Sequence, residues 1–258
     1  MSLIEDFDDT KTAIINPEDF KQKMEEFPEV AIATFQNRIT ERVLRERESE
    51  IITYLYANTI PVYKLNYKGV DIAYLTSKTG APASVNGLEV LIALGVKKLV
   101  YFGSCGVLDR NITTNKIIVP THAIRDEGTS YHYLKESDEI ELDPKNVERL
   151  IEVLNDLNIP YSKGKTWTTD AIFRETRKKF EQRKQQGSIA VEMECAALAA
   201  VAQFRGVSFT QFLYSADNLD GEKWDNRKLE REESMDDLYL KIAFEYATAI
   251  HYGSSGTE

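Results

Sequence analysis

Histidine, cysteine and long apolar runs are scarce in this chain, and each scarcity removes a class of explanation. There are three histidines in 258 residues, and no pair has the spacing of metal ligands on one helix. The two cysteines, Cys105 and Cys195, flank no metal-binding spacing and stand among small or apolar neighbours, as buried free thiols do in a reducing compartment. No run approaches ~20 apolar residues and no N-terminal stretch has the apolar core of a signal peptide, so a soluble, cytoplasmic protein without a membrane partner is expected. Basic residues are in deficit: 32 Lys and Arg against 42 Asp and Glu give a net charge of −10. That balance argues against nucleic acid as a partner, since phosphate backbones need a basic face. A small anionic ligand stays compatible with it, because a placed arginine acts locally.

What is present alternates between strand-like and helix-like stretches. Residues 1–15 are acidic and weakly patterned, a loosely held arm, and a single domain is expected over 16–258. Pro17 opens a helix behind Asn16. Residues 30–35 read as a strand, 39–47 as a charged helix, and 63–67 with 70–76 as a hairpin turning at Lys68-Gly69. Gly80-Ala81-Pro82 starts a helix that Gly95 stops. Further strands are expected at 98–102, 116–120, 161–168, 188–191 and 207–214. Helices fit behind Asp143, over 176–186, over 195–204, and from Glu232 to residue 249. This alternation predicts an α/β fold with helices on both faces of a sheet.

In open α/β sheets, ligands sit beyond the carboxyl ends of the strands. Six such ends here are polar, small or charged: 34–38, 79–82, 103–106, 168–170, 192–194 and 215–218. Together they outline a pocket. The most pointed is Val191-Glu192-Met193-Glu194-Cys195, which sets two acids and a thioether where an apolar strand runs into a small-residue helix. Buried paired acids need donors. Ribose hydroxyls would supply them over an apolar, polarizable floor at Met193; alternatively, the acids complement the helix dipole. Gly80 offers backbone amides at a helix start, a seat for an anion. Gly103-Ser104-Cys105-Gly106 lets backbone approach a ligand beside a hydroxyl, yet it is neither the Gly-x-Gly-x-x-Gly fingerprint nor a Walker loop. Arg38 is either a fixed charge for phosphate or a solvated helix arginine. Asp217 is placed to pass a proton to a departing heteroaromatic base, or to close an Asx turn with Asn218.

Thr-Gly-Ala-Pro at 79–82, Gly-Ser-Cys-Gly at 103–106, Val-Glu-Met-Glu at 191–194 and Ser-Ala-Asp-Asn at 215–218, in this order, resemble the nucleoside phosphorylase superfamily. The resemblance spans residues 28–250. It implies a three-layer αβα domain around a central mixed sheet, which is assembled into a homo-oligomer, a dimer or hexamer. It also implies phosphate-dependent cleavage of a purine nucleoside or uridine to free base and (deoxy)ribose 1-phosphate, with inorganic phosphate as co-substrate and no other cofactor or metal. By the same resemblance, Asp217 is the general acid, and Arg38, Gly80 and Ser104 face phosphate. Met193 and Glu194 hold the ribose, while Cys105, Gly106, Ile172, Phe173 and Glu192 surround the base. The departures lie at the phosphate. The family's Pro-Gly-Asp-Pro-x-Arg loop is here Ala33-Thr34-Phe35-Gln36-Asn37-Arg38, Tyr101 stands where an arginine is usual, and the arginine lent by a neighbouring subunit has no counterpart over 59–67. Arg125 and Arg174 are candidate replacements. Hydrolysis by water, or nucleoside binding without catalysis, are the alternatives this leaves.

Overall fold

The protein is described here from a computed structural model covering residues 3–227 and 233–253. Glu232 and the last residues of the expected domain lie outside the described residues. In chain order the elements are α1 (Pro17–Phe20), β1 (Val30–Thr34), α2 (Asn37–Glu46), β2 (Glu50–Leu55), β3 (Ile60–Tyr67), β4 (Val70–Thr76) and α3 (Ala81–Leu94). There follow β5 (Lys98–Val107), β6 (Ile117–Asp126), β7 (Glu139–Glu141), α4 (Pro144–Asp156), β8 (Tyr161–Thr169), α5 (Arg177–Gln185), β9 (Ser188–Glu192), α6 (Cys195–Arg205), β10 (Ser208–Asn218) and α7 (Glu233–Gly253).

The strands form one mixed ten-stranded sheet flanked by helices, in the order β10-β6-β8-β9-β5-β1-β4-β3-β2, with β7 on β6. β10 also pairs in parallel with β5, so β5, β9, β8, β6 and β10 close on themselves, and β1, β4, β3 and β2 run out from that ring. The buried strand β1 reads Val-Ala-Ile-Ala-Thr without alternation because it is covered on both faces. Helix α6 is buried from Cys195 to Ala202. Its alanines suit a helix covered all round, packed between α3 and the strands. Phe102 of β5 and Phe212 of β10 stack across the parallel pair at 5.2 Å. The N-terminal arm is tied down at Lys11, whose Nζ donates to the Phe204 carbonyl at 2.7 Å while Arg205 donates to the Lys11 carbonyl.

Three local expectations change. Residues 103–106 are not a loop after a strand but the last turnless part of β5, because β10 pairs Gly103 through Cys105 on one side and β9 pairs Gly106 on the other. β2 is an additional edge strand before the expected hairpin, and β7 is a short strand on β6. No helix among the described residues is long and apolar enough to cross a membrane.

Candidate active site

The sheet converges on the start of α6. There Glu192 accepts from the backbone amides of Glu194 at 2.7 Å and Cys195 at 2.6 Å through one oxygen. Its other oxygen accepts from the hydroxyls of Thr168, at 2.6 Å, and Thr166, at 3.3 Å. Thr168 in turn accepts from the Ala196 amide at 3.0 Å. Thus the first free amides of a helix, which need acceptors, are met by a carboxylate that two β8 threonines hold in place. The four donors occupy Glu192 so fully that its role is to shape the turn; it still lines the cavity beyond.

Glu194 leaves that turn toward α3, where its Oε1 accepts from the Gly80 amide at 2.6 Å. Gly80 adopts φ +96°, a conformation open to glycine. Burial, and then the Glu192 charge beside it, push the Glu194 carboxyl up to about 8. Burial also raises Glu192. Raised acids in a cleft make the start of α6 a candidate functional site.

These residues border a cavity of about 600 Å³, a size suited to a small organic ligand. Ser104, Cys105, Gly106, Ile172, Phe173, Glu192, Met193, Glu194 and Asp217 all line it, as do Phe35, Gln36, Thr79, Glu175, Arg177, Phe180, Val191, Leu219 and Trp224. Arg38 and Gly80 are not in its lining. Arg38 forms a bidentate pair with the buried Asp236 of α7, one contact at 3.0 Å, which ties α2 to the closing helix. The Gly80 amide, expected to face phosphate, is taken by Glu194. Arg125 is spent as well: its guanidinium donates to Ser130, Ser137 and the carbonyls of Leu134 and Lys135, organising the loop after β6. Arg174 is exposed and does not line the cavity. Tyr101 is buried between Phe35 and Phe209, so its position serves packing.

The glycines of β5 do a different job from the expected one. A Cβ at Gly103 would stand 2.7 Å from Phe35, and one at Gly106 would stand 2.6 Å from Leu219. Side chains, not only a ligand, use the space they leave. On the far side, Asp217 is half-buried and its Oδ2 accepts from the indole of Trp224 at 2.7 Å. Glu175, at the end of the short 3-10 helix Ile172–Arg174, shares the cavity, and burial followed by the Asp217 charge pushes its carboxyl up to about 7. Four carboxylates therefore line the cavity with a single arginine, Arg177, whose guanidinium donates to the carbonyls of Leu219 and Gly221. Glu175 and Trp224 are cavity residues that the sequence reading passed over. Among the described residues, no cluster of three or more His, Cys, Asp or Glu is arranged to hold a metal ion.

The model of the phosphorylase superfamily matches residues 32–250, which take in every wall of this cavity. The chain belongs to that superfamily. A purine nucleoside phosphorylase of the DeoD type from Buchnera aphidicola is 25% identical over 69% of this chain and 76% of its own. A uridine phosphorylase from Thermococcus kodakarensis is 31% identical over 42% of this chain and 39% of its own. The crystal structure of purine nucleoside phosphorylase from Toxoplasma gondii, solved with immucillin-H, superposes with a TM-score of 0.76 at 18% identity, covering 93% of this chain and 95% of that one. The α/β architecture is thereby that of the superfamily.

Proposed function

We propose that this protein is a nucleoside phosphorylase, which cleaves the N-glycosidic bond of a purine nucleoside or uridine with phosphate as the attacking group. The observation that carries the reading is the meeting of Glu192, Met193 and Glu194 with Asp217 and Ser104 around one cavity. Breaking an N-glycosidic bond builds positive charge on the sugar and negative charge on the base. Carboxylates fixed by protein donors before the substrate arrives favour that sugar electrostatically; Glu194, raised to about 8, does so in its ionised form. Glu194 offers acceptor capacity to the ribose hydroxyls above Met193, and the aromatic faces of Phe173 and Phe180 suit a planar base. Phosphate needs only to be positioned, with the Ser104 and Thr79 hydroxyls at the cavity wall. The names of the Buchnera and Thermococcus relatives support phosphorolysis. A cytoplasmic homo-oligomer, dimer or hexamer, belongs to the same proposal.

Hydrolysis is the second reading, and one observation favours it: Arg38 is committed to Asp236, and Arg177 to backbone carbonyls. Free base released from a panel of purine and pyrimidine nucleosides, with and without phosphate, tests both. Phosphate-dependent release supports the phosphorylase and names its base. Release indifferent to phosphate makes water the nucleophile. Binding without release leaves a nucleoside-binding protein.

A further inference from the structure

Two carboxyl groups, Glu175 and Asp217, line the cavity outside the turn that carries Glu192 and Glu194, and their surroundings differ. Asp217 Oδ2 accepts from the Trp224 indole at 2.7 Å. An indole N–H only donates, so that oxygen serves as an acceptor. Glu175 takes no hydrogen bond from any described residue, and it is half-buried between the cavity-mouth residues Ile172 and Phe173 and the first turn of α5. When two carboxyls share a site, the charge rests where donors stabilise it and the proton rests on the other. We infer that Glu175, rather than Asp217, hands the proton to the departing base, and that the substrate is a purine nucleoside.

This rests on the nucleoside-cleaving reading above. Burial and the Asp217 charge, which place the Glu175 carboxyl at about 7, agree with the geometry. The other charged groups of the cavity are Glu192 from β9, Glu194 from the start of α6, and Arg177 from α5, whose guanidinium is turned to the carbonyls of Leu219 and Gly221. Arg174 precedes Glu175 and is exposed. In the step itself, a phosphate oxygen bonds to the anomeric carbon while the carbon–nitrogen bond breaks and its electron pair passes to the purine. The Glu175 proton goes to the purine N7, and the proton given up by the phosphate restores the carboxyl through solvent. Because the protonated acid is the active form, kcat/KM falls as pH rises through about 7.

The test compares Glu175→Gln and Asp217→Asn on inosine and on 7-methylinosine, whose cationic base departs without taking a proton. For Glu175→Gln, kcat/KM on inosine drops ~100-fold or more, the range of a lost general acid. The fall above neutral pH disappears, and the loss on 7-methylinosine is at least ~10-fold smaller. Asp217→Asn keeps a fall, displaced to lower pH because the neighbouring charge that helps to raise Glu175 is gone. Survival of the fall in Glu175→Gln, or equal losses on the two substrates, overturns the assignment while leaving nucleoside cleavage standing. Cleavage of pyrimidine nucleosides alone overturns it too. A wild-type protein that releases no base from any nucleoside overturns the underlying reading and this assignment together.

Discussion

The indole Nε1 of Trp224 donates to Asp217 Oδ2 at 2.7 Å, although Trp224 itself is 64% exposed. A large aromatic side chain is held at the cavity mouth by one polar bond and by the strap that carries it. That strap is closed by paired backbone bonds between Asn218 and Asp225 and pinned by Arg227 on the Ile112 carbonyl. Trp224→Phe keeps the aromatic face and removes the donor. A hydrogen bond to a carboxylate contributes about 1.5–3 kcal/mol, so kcat/KM on the cleaved nucleoside is expected to fall about tenfold or more. The same bond is lost from the fold, so the melting temperature should fall as well; steady-state kinetics beside a melting curve check both.

Stability should fall as pH rises from about 4.5 to about 8. Glu194 titrates at about 8 in the fold against an ordinary value of 4.5, and Glu175 at about 7. A folded state that binds protons more tightly than the unfolded chain is favoured at low pH, and this contribution is lost as pH passes through the folded values. Denaturant unfolding at several pH values checks this. In Glu194→Gln the slope over that window should flatten.

Thr168→Val should cost about 1–3 kcal/mol of folding free energy. Its hydroxyl both donates to Glu192 at 2.6 Å and accepts from the Ala196 amide at 3.0 Å, and the residue is fully buried. Valine matches the shape and withdraws both bonds, which leaves the α6 start with fewer acceptors. Urea midpoints at constant slope measure the loss.

Arg38→Ala should lower stability more than it raises the KM for phosphate. The guanidinium pairs with Asp236, which is 1% exposed, and removing one member of such a pair costs more than an exposed bridge would. Because Arg38 is itself partly exposed, the loss is expected at roughly 1–3 kcal/mol. A double-mutant cycle with Asp236→Ala isolates the pair. A large rise in phosphate KM with unchanged stability would return Arg38 to the phosphate site.

The strand ends that wall the cavity were legible because each joins an apolar run to glycine, proline or acids, as at Thr79-Gly80-Ala81-Pro82 and Glu192-Met193-Glu194. What escaped depends on distant partners. The strand character of Gly103–Gly106 comes from β9 and β10, far along the chain. Arg38 meets an aspartate 198 residues away, and nothing in its own helix announces the pair. β2 has an exposed face and a register shift between Ile51 and Thr53, which breaks the alternation that marks a strand. Glu175 precedes Arg177-Lys178-Lys179 and so resembles a solvated helix start; Ile172-Phe173 just before it was the available signal. Trp224, a lone aromatic between Lys223 and Asp225, was another.

The most direct test of phosphorolysis is phosphorus NMR of the protein with inorganic phosphate and the nucleoside it cleaves. The account predicts a new sugar 1-phosphate resonance that grows in step with free base. Free base accumulating with ribose while inorganic phosphate stays unchanged would contradict it and make water the nucleophile of this acidic cavity.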